Sequence, residues 1–168
     1  MSPDYRTRVR SINLHTAAVT TILRVVDDDN DGCETGGILL GSVTSDHADV
    51  RHVGGPGPAA IRTSDSFMRD RTYAQKLADY VYDLDRSIWI GEWHTHPSAQ
   101  PIPSDRDFQT YRTLLCDPEL EFNVFIALIV GRLSPGSLTT HLVGWVCTTG
   151  RLMAAPVHVK NLTAFDET

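Results

Sequence analysis

The segment SIWIGEWHTHPSAQPIPSDRD, Ser87 to Asp107, leaves this chain few ways to fold locally. Its first half is rich in β-branched and aromatic residues and reads as a strand, Ser87 to His96. Prolines at 97, 101 and 103 then exclude regular structure, because each fixes φ and removes a backbone donor. Ser104 follows as a helix N-cap. Asp105 and Asp107 fall in the first turn, where acidic groups suit the positive end of the helix dipole. The helix is expected to run to about Leu115. Side chains alternate faces along a strand, so Glu92, His94 and His96 point one way and Thr95 the other.

Elsewhere the pattern is mixed. Thr16 to Val26 can form a helix with one apolar face. DDDNDG, Asp27 to Gly32, is a polar break. A calcium loop counted from Asp27 needs glycine at its sixth position, which Gly32 supplies, and glutamate at its twelfth, where Ile38 stands; a solvated turn is the better reading. Gly37 to Ser42 reads as a buried strand, able to pair with Ala48 to Val53 as a hairpin. GGPGP, Gly54 to Pro58, is loop. Ser66 reads as the N-cap of a long helix to about Leu84, with Phe67, Leu77, Tyr80, Val81 and Leu84 on its buried face. Phe122 to Gly131, Thr139 to Cys147 and Leu152 to Val159 read as three closing strands. Helices interspersed among strands predict an α/β or α+β fold around one sheet. At 168 residues, a single domain over 1–168 is expected.

Net charge is −6 and the pI about 5.5, which argues against nucleic acid or an anionic membrane surface as the main partner. The first ten residues, MSPDYRTRVR, lack the apolar run of a secretory leader. The longest apolar run, Val124 to Val130, is too short to span a bilayer. A cytoplasmic protein is the expectation. Cys33, Cys116 and Cys147 share no metal-type spacing and read as reduced packing residues, although Cys33 adjoins Glu34.

Two imidazoles on one strand face make a two-pronged ligand, and Asp107 stands in the next helix to supply a third. Two nitrogens and one carboxylate leave a fourth tetrahedral position for water, which marks a catalytic zinc site, although the same donors also suit other divalent metals. Such a water needs a base. Glu34, in ETGGILLG just before a buried strand, and Glu92, on the face of the histidines, are both open to that role. Taken singly, each piece has a plain explanation: His-Thr-His as surface imidazoles, Ser104 and Asp107 as a capping pair.

HTHP followed by six residues, Ser104, two residues and Asp107, with an upstream glutamate in ETGGILLG, resembles the JAMM motif of the JAB/MPN metalloprotease family. The resemblance covers roughly Glu34 to Gly131. It implies a curved mixed β-sheet flanked by helices, cytidine-deaminase-like. It implies one zinc per chain held by His94, His96 and Asp107, with the zinc-bound water as nucleophile. Glu34 becomes the general acid/base, leaving Glu92 to support an imidazole from behind, and Ser104 a donor to the developing oxyanion. The implied reaction is hydrolysis of the amide bond at the C-terminus of a ubiquitin-like protein, as an isopeptide or a linear bond. GEWHTHP and ETGGILLG look like the bacterial JAB branch, whose members include deconjugating peptidases encoded beside activating and conjugating enzymes in CBASS or Bil antiphage operons. The loops at about Gly54 to Asp65 and Cys116 to Glu121 are short beside the ubiquitin-gripping insertions of eukaryotic members. The resemblance also leaves room for a processing peptidase that matures a ubiquitin-like or sulfur-carrier tail, and for a non-catalytic interaction module.

Overall fold

FIALIVG is apolar at every position because both faces of the strand it forms are covered. This strand lies inside the mixed eight-stranded sheet of the computed structural model, which describes residues 8–132 and 139–161. In chain order the elements are β1 (Ser11–His15), α1 (Thr16–Asp28), β2 (Gly36–Val43), β3 (His47–Val53), β4 (Ile61–Arg62), β5 (Phe67–Met68), α2 (Arg71–Asp85), β6 (Ile88–Thr95), α3 (Asp105–Cys116), β7 (Phe125–Gly131), β8 (His141–Thr148), β9 (Arg151–Ala155) and β10 (Val157–Lys160). The sheet order is β10-β1-β3-β2-β6-β7-β8-β9, and β4 and β5 pair separately as a small hairpin. The reading of the first ten residues as lacking a leader falls mostly on residues 1–7, outside the described residues.

Alternation sorts the side chains of β7. Ile126 and Leu128 pack with Ile22 and Val25 of α1. Phe125 and Ala127 face Tyr111 and Leu115 of α3, where Tyr111 stacks on Phe125 at 5.1 Å. α2 covers Ile38 and Leu40 of β2 through Ala74 and Val81. The expected α/β architecture with a curved mixed sheet is therefore present.

The curvature is visible at the ends. β9 and β10 adjoin through Pro156 yet lie on opposite edges of the sheet. Ile12 N–H of β1 donates to the Pro156 carbonyl at 2.9 Å. A Cβ on Gly144 of β8 would meet Ile12 Cδ1 and Val157 Cγ2 at 2.7 Å, so the sheet curls until its two halves touch.

Three expectations need correction. The helix expected from Ser66 begins at Arg71, capped by Asp70, whose carboxylate accepts from Tyr73 N–H at 3.0 Å and Ala59 N–H at 3.1 Å. Ser66 instead closes the β4–β5 turn onto Thr63, and Phe67 belongs to β5. Consequently Tyr80 and Leu84 are exposed, and Ala74 and Val81 carry the buried face. Leu152 to Val159 is two strands, because Pro156 lacks the donor that a continuous ladder needs. A first strand, Ser11–His15, had no signal in its short, mixed sequence.

Candidate metal centre and active site

A bulge in the β2–β6 ladder, between Leu39 and Leu40, determines which side chains of β6 share a face. It brings Trp89 onto the side of Glu92, so that Arg69 lies 5.0 Å over the Trp89 ring and 3.3 Å from Glu92 Oε2. Glu92 and His94 then alternate down that side, and His96 follows just beyond the strand. β7 holds the end of this segment: His96 N–H donates to the Val130 carbonyl at 2.7 Å.

Both imidazoles are buried, His94 at 3% and His96 at 8% exposure. Their Nε2 atoms lie 3.0 Å apart. Asp107 reaches across from α3, with Oδ1 3.5 Å from His94 Nε2 and Oδ2 3.4 Å from His96 Nε2. The proline-rich return makes this possible. Ser104 and Asp107 form a capping box: Asp107 N–H donates to Ser104 Oγ at 3.1 Å, and Ser104 N–H donates to Asp107 Oδ2 at 2.7 Å. The Ser104 hydroxyl also lies 2.8 Å from Oδ2. Burial works against the charge of Asp107, but the two imidazoles and the Ser104 amide outweigh it and hold its pKa well below the usual carboxylate range.

Glu34 enters from the end of β2. Gly36 pairs with His94 in the ladder, and a Cβ there would stand 2.1 Å from the Trp93 carbonyl oxygen and 2.9 Å from His94 Cβ. Only glycine permits that approach. One residue earlier, Thr35 N–H donates to Thr95 Oγ1 at 2.9 Å and its carbonyl accepts from Thr95 N–H at 2.8 Å, so Thr95, between the histidines, anchors the residue after Glu34. Glu34 Oε1 reaches to 4.0 Å from His96 Nε2. Burial raises its pKa, opposed by the two imidazoles. Glu92 is also raised by burial, but its carboxylate is paired with Arg69 and lies 4.0 Å from His94 Nδ1, on the far side of that ring from the convergent Nε2 atoms.

His94, His96 and Asp107 offer ligand atoms all within 4.8 Å of one another and could hold one metal ion. The donor set fits a divalent cation. His96 Nδ1 lies 2.9 Å from the Gln100 carbonyl, which can only accept, so Nδ1 carries the proton and leaves the Nε2 lone pair for a metal. Two imidazole nitrogens and a carboxylate converging on one point form an arrangement that a cation stabilises. Glu34, Glu92, His94 and Asp107 line a cleft of about 310 Å³ with Arg69 and Arg106. Ser104 is exposed at its edge. A larger hollow of about 480 Å³, formed where β6 begins, has Glu121 as its one titratable lining residue.

His94, His96, Asp107 and Glu34 converge, Glu92 lies behind the His94 ring, and Ser104 is bonded to Asp107 from an exposed position. The cleft walls supplied by Asp65, Met68 and Arg69 were missed. They come from a hairpin whose strands are two residues long and which carries no periodic signal.

A mixed curved sheet with a His-His-Asp cluster at the end of a strand defines an α/β protein with a candidate metal site. The Prok-JAB family, described as prokaryotic homologs of the JAB domain, matches residues 16–145, and the chain belongs to that family. It is similar to "Probable metalloprotease y4qB" of Sinorhizobium fredii, 38% identical over 91 residues that cover 51% of this chain and 55% of that protein. It is also similar to a "CD-NTase/cGAS isopeptidase" of Pseudomonas aeruginosa, 31% identical over 136 residues, or 75% of this chain and 84% of that protein. Against four of the curated relatives the match spans only 55% to 62% of their length. The solution structure of protein DSY2949 from Desulfitobacterium hafniense shares the fold, with a TM-score of 0.67 and 18% identity over 91% of this chain and 95% of that one. Among the described residues no helix is long and apolar enough to cross a membrane.

Proposed function

We propose that this chain is a zinc-dependent peptidase that hydrolyses the amide bond at the C-terminus of a ubiquitin-like or similarly conjugated protein. The observation that carries the reading is the convergence of Glu34 on the cluster of His94, His96 and Asp107, within a chain of the Prok-JAB family. His94, His96 and Asp107 would hold the metal, and zinc there would supply Lewis acidity that brings the pKa of water down to about 7.

The chain's own groups do the rest. Glu34, partly buried and with its pKa raised by desolvation, takes a proton from the attacking water and returns it to the leaving amine nitrogen. Its position on the Nε2 side of the imidazoles favours it over Glu92, which is paired with Arg69. Glu92 steadies His94 from its Nδ1 side. The Ser104 hydroxyl turns from Asp107 Oδ2 to donate to the substrate oxygen as negative charge develops there, while the Ser104 amide keeps Asp107 in place.

Relatives named CD-NTase/cGAS isopeptidase support a CD-NTase-type protein joined to an acceptor by an isopeptide bond as the conjugated substrate. The partners are then the conjugate and the activating and conjugating enzymes that make it, in the cytoplasm. The test is cleavage of such a conjugate, or of a ubiquitin-like protein fused to an acceptor. Wild type is compared with Glu34→Gln and with chelated and zinc-restored protein. Cleavage at the last tail residue by wild type and restored protein alone is expected. Cleavage that survives Glu34→Gln or chelation removes the proposal.

A further inference from the structure

We propose that Arg62 is the positioning residue of Glu34, and that the acidic turn after α1 exists to hold its guanidinium. This rests on the hydrolytic reading above. The side chain of Glu34 is placed by its backbone, and that backbone is gripped on both sides. Its N–H donates to the Thr63 carbonyl at 2.7 Å. Its carbonyl accepts from Arg62 Nε at 3.2 Å. The rest of the guanidinium forks onto the turn. Nη1 and Nη2 donate to Asp31 Oδ2 and Oδ1 at 3.1 and 2.8 Å, and Nη1 lies 3.3 Å from Asp29 Oδ1. Asp29 Oδ2 in turn accepts from Thr35 Oγ1 at 2.6 Å. Asp31 Oδ1 accepts from Cys33 N–H at 3.0 Å.

One planar cation thus links the residues before, at and after Glu34 to the β4–β5 hairpin. It does so from a largely enclosed position, with 16% of the Arg62 side chain exposed. This gives DDDNDG a purpose that a solvated turn lacks. A lysine cannot reproduce the link, because a point charge has neither the Nε donor nor the fixed fork. Neither Arg62, Asp29 nor Asp31 lies in the cluster of His94, His96 and Asp107. The clamp therefore grips the backbone of the base directly and reaches the histidines only indirectly, through Thr35 and Thr95. A base displaced by about 1 Å can lose about 100-fold in turnover, which is the scale of effect expected.

The test uses the full chain with Arg62→Lys and, as a milder variant, Asp31→Asn at an exposed position. Three quantities are read: zinc affinity by competition with a chelating dye, hydrogen exchange of residues 29–36, and kcat and KM on a fusion that wild type cleaves. The expected result for Arg62→Lys is zinc affinity within about twofold of wild type, faster exchange confined to residues 29–36, and kcat lowered 10- to 100-fold at unchanged KM. Asp31→Asn shifts exchange and kcat the same way by a smaller factor. Unchanged exchange in both variants overturns the clamp. Faster exchange with unchanged kcat leaves Arg62 a structural residue only and overturns the positioning role. If wild type cleaves nothing, the hydrolytic reading fails and the catalytic role falls with it, while the exchange arm still decides whether Arg62 holds the Glu34 backbone.

Discussion

Asp107 does two jobs with one carboxylate. Its Oδ2 closes the capping box on Ser104, and both oxygens face the histidines. Asp107→Ala therefore removes the proposed metal ligand and a helix-capping partner together. Zinc affinity should fall well beyond the roughly 10- to 100-fold that loss of an outer partner costs, as read by dialysis and metal analysis. A full metal complement in that variant would exclude the ligand assignment. Ser104→Ala separates the two jobs: stability should drop by about 1 kcal/mol from the lost cap, and turnover by roughly 10²–10³ if the hydroxyl serves the oxyanion. A stability loss alone would leave Ser104 a cap. At this scale the histidines, Ser104 and Asp107 were legible, because strand alternation and capping are local rules. Glu34 was open against Glu92 until the family resemblance decided, since nothing local says that residue 34 meets residue 96. Arg62 and Arg69 were invisible for the same reason: their partners lie in other elements.

Elements are joined here by contacts that sequence periodicity does not encode. The β2–β6 pair needs Gly36, and Gly36→Ala should cost about 1–3 kcal/mol by overpacking while also weakening zinc binding, because the clash falls first on the Trp93 carbonyl and then on His94 Cα and Cβ. Thermal unfolding with and without zinc reads both; lost stability at wild-type zinc affinity would show that β6 does not yield. α2 is tied to β3 by Asp85 Oδ2 and His52 Nε2 at 2.7 Å. Burial opposes the charged form of Asp85, but bonds from His52 and Ser87 prevail and lower its pKa to about 2. A carboxylate whose folded pKa is depressed binds its proton more readily unfolded. Its stabilisation is present above the unfolded value near 4 and fades as pH falls toward 2. Because the pair is about one-third exposed, screening reduces the contribution to about 1 kcal/mol. Wild type should lose that much more than Asp85→Asn between pH 5 and pH 2 in urea titrations. Parallel pH profiles would show the pair to be idle. Asp70 and Asp85 bound α2 more firmly than its apolar pattern does. A helix drawn from Ser66 as its N-cap began too early because Asp70, not Ser66, caps α2.

At the scale of the molecule, closure of the sheet depends on its last strands. β10 completes one edge beside β1, and β9 the other beside β8, although Pro156 alone separates them in sequence. Any two-strand ending would add apolar surface to one edge; this one fastens both edges at once, with Ile12 N–H held by the Pro156 carbonyl and Val157 packed near Gly144. A curved sheet was expected only through the family resemblance, and how the chain's end closes it was not legible, because Leu152 to Val159 read as one strand and a strand has only one place in a sheet. A chain ending at Gly150 should bare β1 and β8 to solvent as unpaired edges. Its unfolding temperature should fall by ~10 °C or more, since about 2–4 °C follows each kcal/mol in a domain of this size and several apolar contacts are lost. Zinc should still bind to the folded fraction, because His94 on β6, His96 just beyond it and Asp107 on α3 all lie in segments the deletion does not touch. Calorimetry of the intact chain should show one transition if residues 8–161 unfold as a single unit. Two transitions, or a truncated chain as stable as the whole, would mean that the final strands decorate the sheet without closing it.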